Sequence, residues 1–176
     1  MRRRAFARGA GAWLGLLLGG CYAREGEPLA SAEPDLGEPV QFTFGTIAGG
    51  EVSSDTTRGR TTALLFVTTY DLPSQAEAQL LREVLSTHRP VANAAIVMME
   101  PPRSAALAQV WAEALDLKWP IAMASPSLLA GESALGNIAG VPTLVVLDRR
   151  GRLIAKSEGA LGREAIRECL KRADAR

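Results

Sequence analysis

Residues Phe66-Val-Thr-Thr-Tyr-Asp-Leu-Pro-Ser-Gln-Ala-Glu-Ala-Gln-Leu-Leu81 carry the decisive pattern of this chain. An apolar, β-branched run stops at the turn Tyr70-Asp-Leu-Pro-Ser74 and passes directly into a helical pattern. Upstream, Thr61 to Thr69 is almost continuously apolar or β-branched, as a strand buried on both faces requires. Downstream, Asp71 to His88 predicts a helix with Ala76, Leu80, Leu81, Val84 and Leu85 on one stripe, closed by Pro90. Asp71 stands where the first N–H groups of that helix lack partners, so it reads as an N-cap, with a catalytic carboxylate as the alternative.

The remaining elements follow on either side. Gln41-Phe-Thr-Phe-Gly45 alternates in period two, and Gly49-Gly50 turns it into Glu51-Val-Ser53 as a hairpin. Val91 to Met99 is a second buried run, and Ser104 to Leu115 places Leu107, Val110, Trp111 and Leu115 at helical spacing. Trp119 to Ala124 predicts a short strand and Ser127 to Leu135 a short helix. Val141-Pro-Thr-Leu-Val-Val-Leu147 predicts a strand that turns through Asp148-Arg-Arg-Gly151 into Arg152–Lys156. Leu161 to Ala173 predicts a last helix with Ala165, Ile166, Cys169 and Leu170 inward. Strands alternating with helices call for an α/β domain: a central mixed sheet, mainly parallel with an antiparallel hairpin at one edge, flanked by helices on both faces.

Two segments resemble the thioredoxin-like superfamily, and within it domains of the TlpA type. In that family the strand–turn–helix segment carries Trp-Cys-Pro-Pro-Cys where this chain has Tyr70, Asp71, Leu72, Pro73 and Ser74. About 70 residues later, Gly140-Val141-Pro142-Thr143 and the Asp148-Arg-Arg-Gly151 turn are similar to the family's Gly-x-Pro-Thr strand and its following turn. The resemblance covers roughly residues 41–172, and the order of elements agrees with it. It implies a thioredoxin-like fold with an N-terminal hairpin and an inserted βα unit. It also implies a cis Val141–Pro142 bond beside the active-site turn, with a trans proline opening an edge strand as the alternative.

The family's chemistry does not carry over with the fold. Thiol–disulfide exchange needs one thiolate to attack and a second thiol to resolve the mixed disulfide. Asp71 and Ser74 stand at those two positions and offer neither sulfur. A serine nucleophile needs a base, and the single histidine, His88, lies fourteen residues along the same helix from Ser74. At 1.5 Å per residue that is about 21 Å, too far for a proton transfer. His88 is expected instead at the helix C-terminus, against the last carbonyls. One histidine and one cysteine within the domain give no metal-ligand cluster, and nothing in the pattern calls for a cofactor. No catalytic residue is assigned. Cys169, on a face with Ile166 and Leu170, reads as a packed thiol, with a redox sensor as the alternative. Trp111 and Trp119 read as core or groove residues.

The N-terminus has a different character. Arg2, Arg3, Arg4 and Arg8 precede the apolar run Ala10–Leu18, which predicts a signal peptide over residues 1–20. Leu18-Gly-Gly-Cys21 resembles a bacterial lipobox, so Cys21 is the expected lipidation site and the anchor to an envelope membrane. Tyr22, in place of an aspartate, favours outer-membrane sorting by that resemblance. Residues 21–40, rich in Pro, Glu, Ala and Gly, read as a tether, and residues 41–176 as the domain. Without its first 20 residues the chain keeps 20 − 4 = 16 basic residues against 19 acidic ones, a net charge of −3 that argues against nucleic acid as a partner.

The resulting expectation is an envelope lipoprotein facing the periplasm, with a redox-inactive thioredoxin-like domain. It would bind other envelope proteins through a groove formed by Tyr70, Val141, Pro142 and Thr143. The alternatives are a TlpA-type oxidoreductase acting through Cys169 or an external thiol, and a purely structural lipoprotein.

Overall fold

The computed structural model describes residues 37–176. The expected signal peptide, the lipobox-like segment with Cys21 and most of the expected tether lie outside the described residues. The domain's own contacts begin inside the segment assigned to the tether. Val40 N–H donates to the Gly151 carbonyl at 2.9 Å, and the side chain packs on the core.

The chain opens with a hairpin, β1 (Thr43–Gly45) and β2 (Glu51–Ser53), whose turn has Gly49 and Gly50 at φ near +87° and +85°. A single helical turn, α1 (Ser54–Thr57), leads into the central strand β3 (Thr62–Val67). Helix α2 (Leu72–Thr87) follows, then β4 (Asn93–Met98), α3 (Ala105–Ala114), β5 (Ile121–Met123) and α4 (Pro126–Leu129). β6 (Thr143–Leu147), β7 (Leu153–Glu158) and α5 (Arg163–Asp174) complete the domain.

Five strands form one sheet in the order β5-β4-β3-β6-β7. β3, β4 and β5 are parallel, whereas β6 lies antiparallel against β3 and β7 antiparallel against β6. The sheet is therefore mixed, as expected, with two parallel and two antiparallel pairings. The chain reaches β6 through α4 and a loop, and comes in from the opposite end.

Burial of the central strands follows the period-two rule. Ala63, Leu65 and Val67 of β3, with Leu144 and Val146 of β6, face a core closed by α2, α3 and α5. Leu64 and Phe66, with Val145 and Leu147, face a second core closed by the hairpin, α4 and the loop residues Leu135 and Ile138. Phe66 meets Phe44 edge-on there, with ring centroids 6.1 Å apart.

The helices depart from the sequence-based expectation in register. The buried stripe of α2 is Ser74, Glu77, Ala78, Leu81 and Val84; Leu80 and Leu85 are half-buried at its margins and Ala76 is exposed. On α3 the inward residues are Ala108, Trp111 and Ala112, continued by Leu115, so Leu107 and Val110 point outward. Apolar spacing alone selected the larger side chains, but alanines let this helix lie close to the sheet. The helix expected over Ser127–Leu135 is only the single turn of α4, and on α5 Ala165 is exposed. His88 caps α2 through its backbone N–H, but its ring does not meet the helix carbonyls. Nε2 lies 2.8 Å from Asp174 Oδ2 at the end of α5. Thr61 donates to the other oxygen of that carboxylate, so Asp174 fastens the ends of α2 and α5 to the start of β3.

Candidate functional site

The two motifs meet because β3 and β6 are neighbours. Phe66 pairs with Thr143, so the turn after β3 and the loop before β6 emerge at the same end of the sheet. β4, parallel to β3, also delivers Glu100 to that end.

At the turn, Asp71 adopts an extended conformation and accepts a hydrogen bond from Ser74 N–H at 2.8 Å, which makes it the N-cap of α2. Pro73, in the first helical turn, lacks an N–H where none would be paired within the helix. Ser74 is fully buried; its hydroxyl donates to Asp71 Oδ2 at 2.5 Å and accepts from Thr68 N–H at 3.3 Å. Asp71 and Ser74 are therefore both committed to holding the turn. Thr69 N–H donates to Glu100 Oε1 at 2.5 Å, and Glu100 is itself buried. These bonds tie down the two sides of the turn, while its apolar side chains stay outward: Tyr70 is 80% exposed and Leu72 77%.

On the facing loop, Val141–Pro142 is a cis peptide, as is Arg89–Pro90 beyond α2. Val141 is half-buried, Pro142 and Thr143 buried. Thr143 Oγ1 donates to the Gly140 carbonyl at 2.6 Å, and the Pro142 carbonyl accepts from Gly159 N–H at 2.7 Å. Tyr70, Val141 and Pro142 therefore stand at one end of the sheet, and the turn there is held by a carboxylate–hydroxyl pair and carries no dithiol.

Sequence reasoning missed the two buried carboxylates beneath this surface. Glu77 is 2% exposed on the inward stripe of α2, one turn after Ser74. Its Oε2 accepts from Leu161 N–H at 2.9 Å, while Oε1 has no hydrogen-bond partner among the described residues. Burial pushes its carboxyl pKa up from 4.5 to about 7, opposed only by the Leu161 N–H. The signal is present in the chain, since Ser74, Glu77, Leu81 and Val84 share one helical face, but an apolar stripe passes over a glutamate. Cys169 lies half-buried on α5, and desolvation raises its thiol pKa, against the reactive thiolate that exchange requires. Among the described residues no group of three or more His, Cys, Asp and Glu side chains could hold a metal ion, and no helix is long and apolar enough to cross a membrane.

A mixed five-stranded sheet, with a strand–turn–helix after β3 and a cis-proline loop before the antiparallel β6, defines a thioredoxin-like fold. Known structures agree. A thioredoxin-family thiol:disulfide interchange protein from Chlorobium tepidum superposes with a TM-score of 0.64 at 21% identity, over 77% of this chain and 95% of that one. A secreted Mycobacterium tuberculosis disulfide oxidoreductase homologous to E. coli DsbE gives 0.61 at 17% identity, over 74% and 95%. StoA from Bacillus subtilis gives 0.58 at 23% identity, over 74% and 96%. No protein-family model and no curated protein matches the sequence. The fold is that of thiol–disulfide oxidoreductases, on a chain with Asp71 and Ser74 at the motif's cysteine positions.

Proposed function

We propose that this chain is an envelope lipoprotein, anchored through Cys21, whose redox-inactive thioredoxin-like domain binds extended segments of other envelope proteins beside Val141–Pro142. The observation that carries the reading is the pair of apolar side chains, Tyr70 and Leu72, displayed on a turn locked from beneath by Asp71 and Ser74. An extended partner laid against the backbone before β6 gains main-chain hydrogen bonds without any sulfur chemistry, while Tyr70 and Leu72 supply the apolar contact. Covering a leucine-sized side chain contributes about 1.5–3 kcal/mol, or roughly a 10- to 150-fold change in Kd. The secreted oxidoreductase among the similar structures supports an exported location, and Leu18-Gly-Gly-Cys21 supports the anchor.

Two measurements test this. Partners captured from an envelope extract by the full chain should be lost with Tyr70→Ala and Val141→Asp; capture unchanged by both substitutions refutes the groove. Mass spectrometry of the membrane fraction should find Cys21 diacylglycerylated, and Cys21→Ala should release the protein from that fraction.

A further inference from the structure

Charge is spread unevenly over this domain, and its basic end is the end at which the chain enters. β3 runs from Thr62 toward the Tyr70 turn, so Thr62 marks the end of the sheet opposite the groove. Thr62 pairs with Leu147 and with Asn93, which brings the Asp148–Gly151 turn and the residues before β4 to that end. Helix α5 finishes there too, since Asp174 bonds to Thr61 and His88. Arg60, Arg89, Arg149, Arg150, Lys171 and Arg172 therefore gather at one end of the molecule, about 20 Å along β3 from the groove. Five of them are exposed and Arg172 is half-buried.

The carboxylates around them are already engaged. Asp148 pairs with Arg152, Asp174 with His88 and Asp55 with Arg58, and none of the six cations makes an ion pair among the described residues. Arg149 reaches only the Asp174 carbonyl, and Arg89 the carbonyls of Ser86 and His88. Glu38 is exposed on the entering segment, and Glu168 lies earlier on α5. Lys171 and Arg172 also complement the dipole of α5, but the four arginines stand outside any helix. So many like charges at one end repel each other and attract an anionic surface. The N-terminal segment arrives at the same place: Val40 N–H bonds to the carbonyl of Gly151, in the turn that carries Arg149 and Arg150. The 40 − 21 = 19 residue steps from Cys21 to Val40 span at most about 65 Å.

We propose that this arginine-rich end docks on anionic phospholipid headgroups, so that the anchored domain stands on its membrane with the Tyr70 groove turned away from it. The orientation rests on the lipid-anchor reading above, whereas the attraction of the six cations to anionic lipid does not. Guanidinium groups meet phosphate oxygens through paired, charge-assisted hydrogen bonds. Each Lys or Arg near an anionic surface strengthens the association about fivefold, within a Debye length of about 10 Å at 0.1 M salt. A chain that joins the domain at Val40 delivers this end to the bilayer. The rival cover is the chain's own acidic segment, with Glu25, Glu27, Glu33 and Asp35.

Arginine modification by phenylglyoxal, mapped by mass spectrometry, tests the docking on the full protein purified from its membrane fraction. It is mixed with vesicles of phosphatidylcholine alone or with phosphatidylglycerol added. On phosphatidylglycerol, Arg60, Arg89, Arg149 and Arg150 should be modified more slowly than on phosphatidylcholine, and 1 M NaCl should restore their rates. Arg103, exposed after β4 at the groove end, should keep one rate throughout. Arg149→Gln with Arg150→Gln removes two of the six cations, and the docking constant read at Arg60 and Arg89 should fall about 30-fold. Equal slowing at Arg103, or none at the other four, overturns the proposal. Slow modification without lipid that salt reverses also overturns it, since the acidic segment then covers this end. Flotation with phosphatidylcholine vesicles reads the anchor separately, so its failure is distinct from failure of the docking.

Discussion

Replacing Glu77 with glutamine tests the physical reading of the site most directly. The substitution preserves shape and the acceptor for Leu161 N–H, and removes the ionisable proton. Burial raises the folded-state pKa from 4.5 to about 7, so between these values the folded protein holds a proton that the unfolded chain has released. The wild-type protein therefore loses stability as pH rises from about 4.5 to about 7, and the loss is constant above that. A shift of this size corresponds to about 3 kcal/mol. Glu77→Gln should match wild type at pH 4.5 and exceed it by up to about 3 kcal/mol at pH 8, which is about 10 °C in melting temperature for a domain of this size. Urea and thermal denaturation at both pH values provide the measurement. A difference that does not change with pH, or a variant less stable at pH 8, would refute the account of Glu77 as a carboxyl group buried without a counter-ion.

Three further outcomes follow, two from the turn and one from α5. Asp71→Ala removes the cap of α2 and the acceptor of the Ser74 hydroxyl, and should lower stability by about 1–2 kcal/mol in urea denaturation. The double substitution Asp71→Cys and Ser74→Cys places thiols at the N-cap and third position of α2, where unpaired N–H groups favour a thiolate. This variant should reduce insulin disulfides while the wild-type chain does not; activity in wild type abolished by Cys169→Ser would instead reinstate the oxidoreductase reading. In the native domain the Cys169 thiol should react with a disulfide reagent well below the rate of the denatured chain, since desolvation holds it protonated.

Much of the site was legible in the chain. The cap at Asp71 is a local bond across three residues, and its expected place at the start of the helix is where it stands. The burial of β3 and β6 was legible because a strand covered on both faces must be apolar at every position. The register of the helices was harder, because alanine carries little of the pattern. On α3, Ala108 and Ala112 face the sheet and the larger Leu107 and Val110 do not.

The sequence by itself determined the order of elements, the absence of sulfur from residues 70–74 and the capped start of α2. Each depends on residue type or on partners a few positions apart. Tertiary structure alone decided the chemistry underneath. Glu77 meets Leu161 across 84 residues, Glu100 meets Thr69 across 31, and His88 meets Asp174 across 86. Whether a glutamate on a helix is solvated or desolvated depends on what the folded chain lays over it. At Glu77 it supplies burial and a single N–H from Leu161, and burial pushes the carboxyl pKa up.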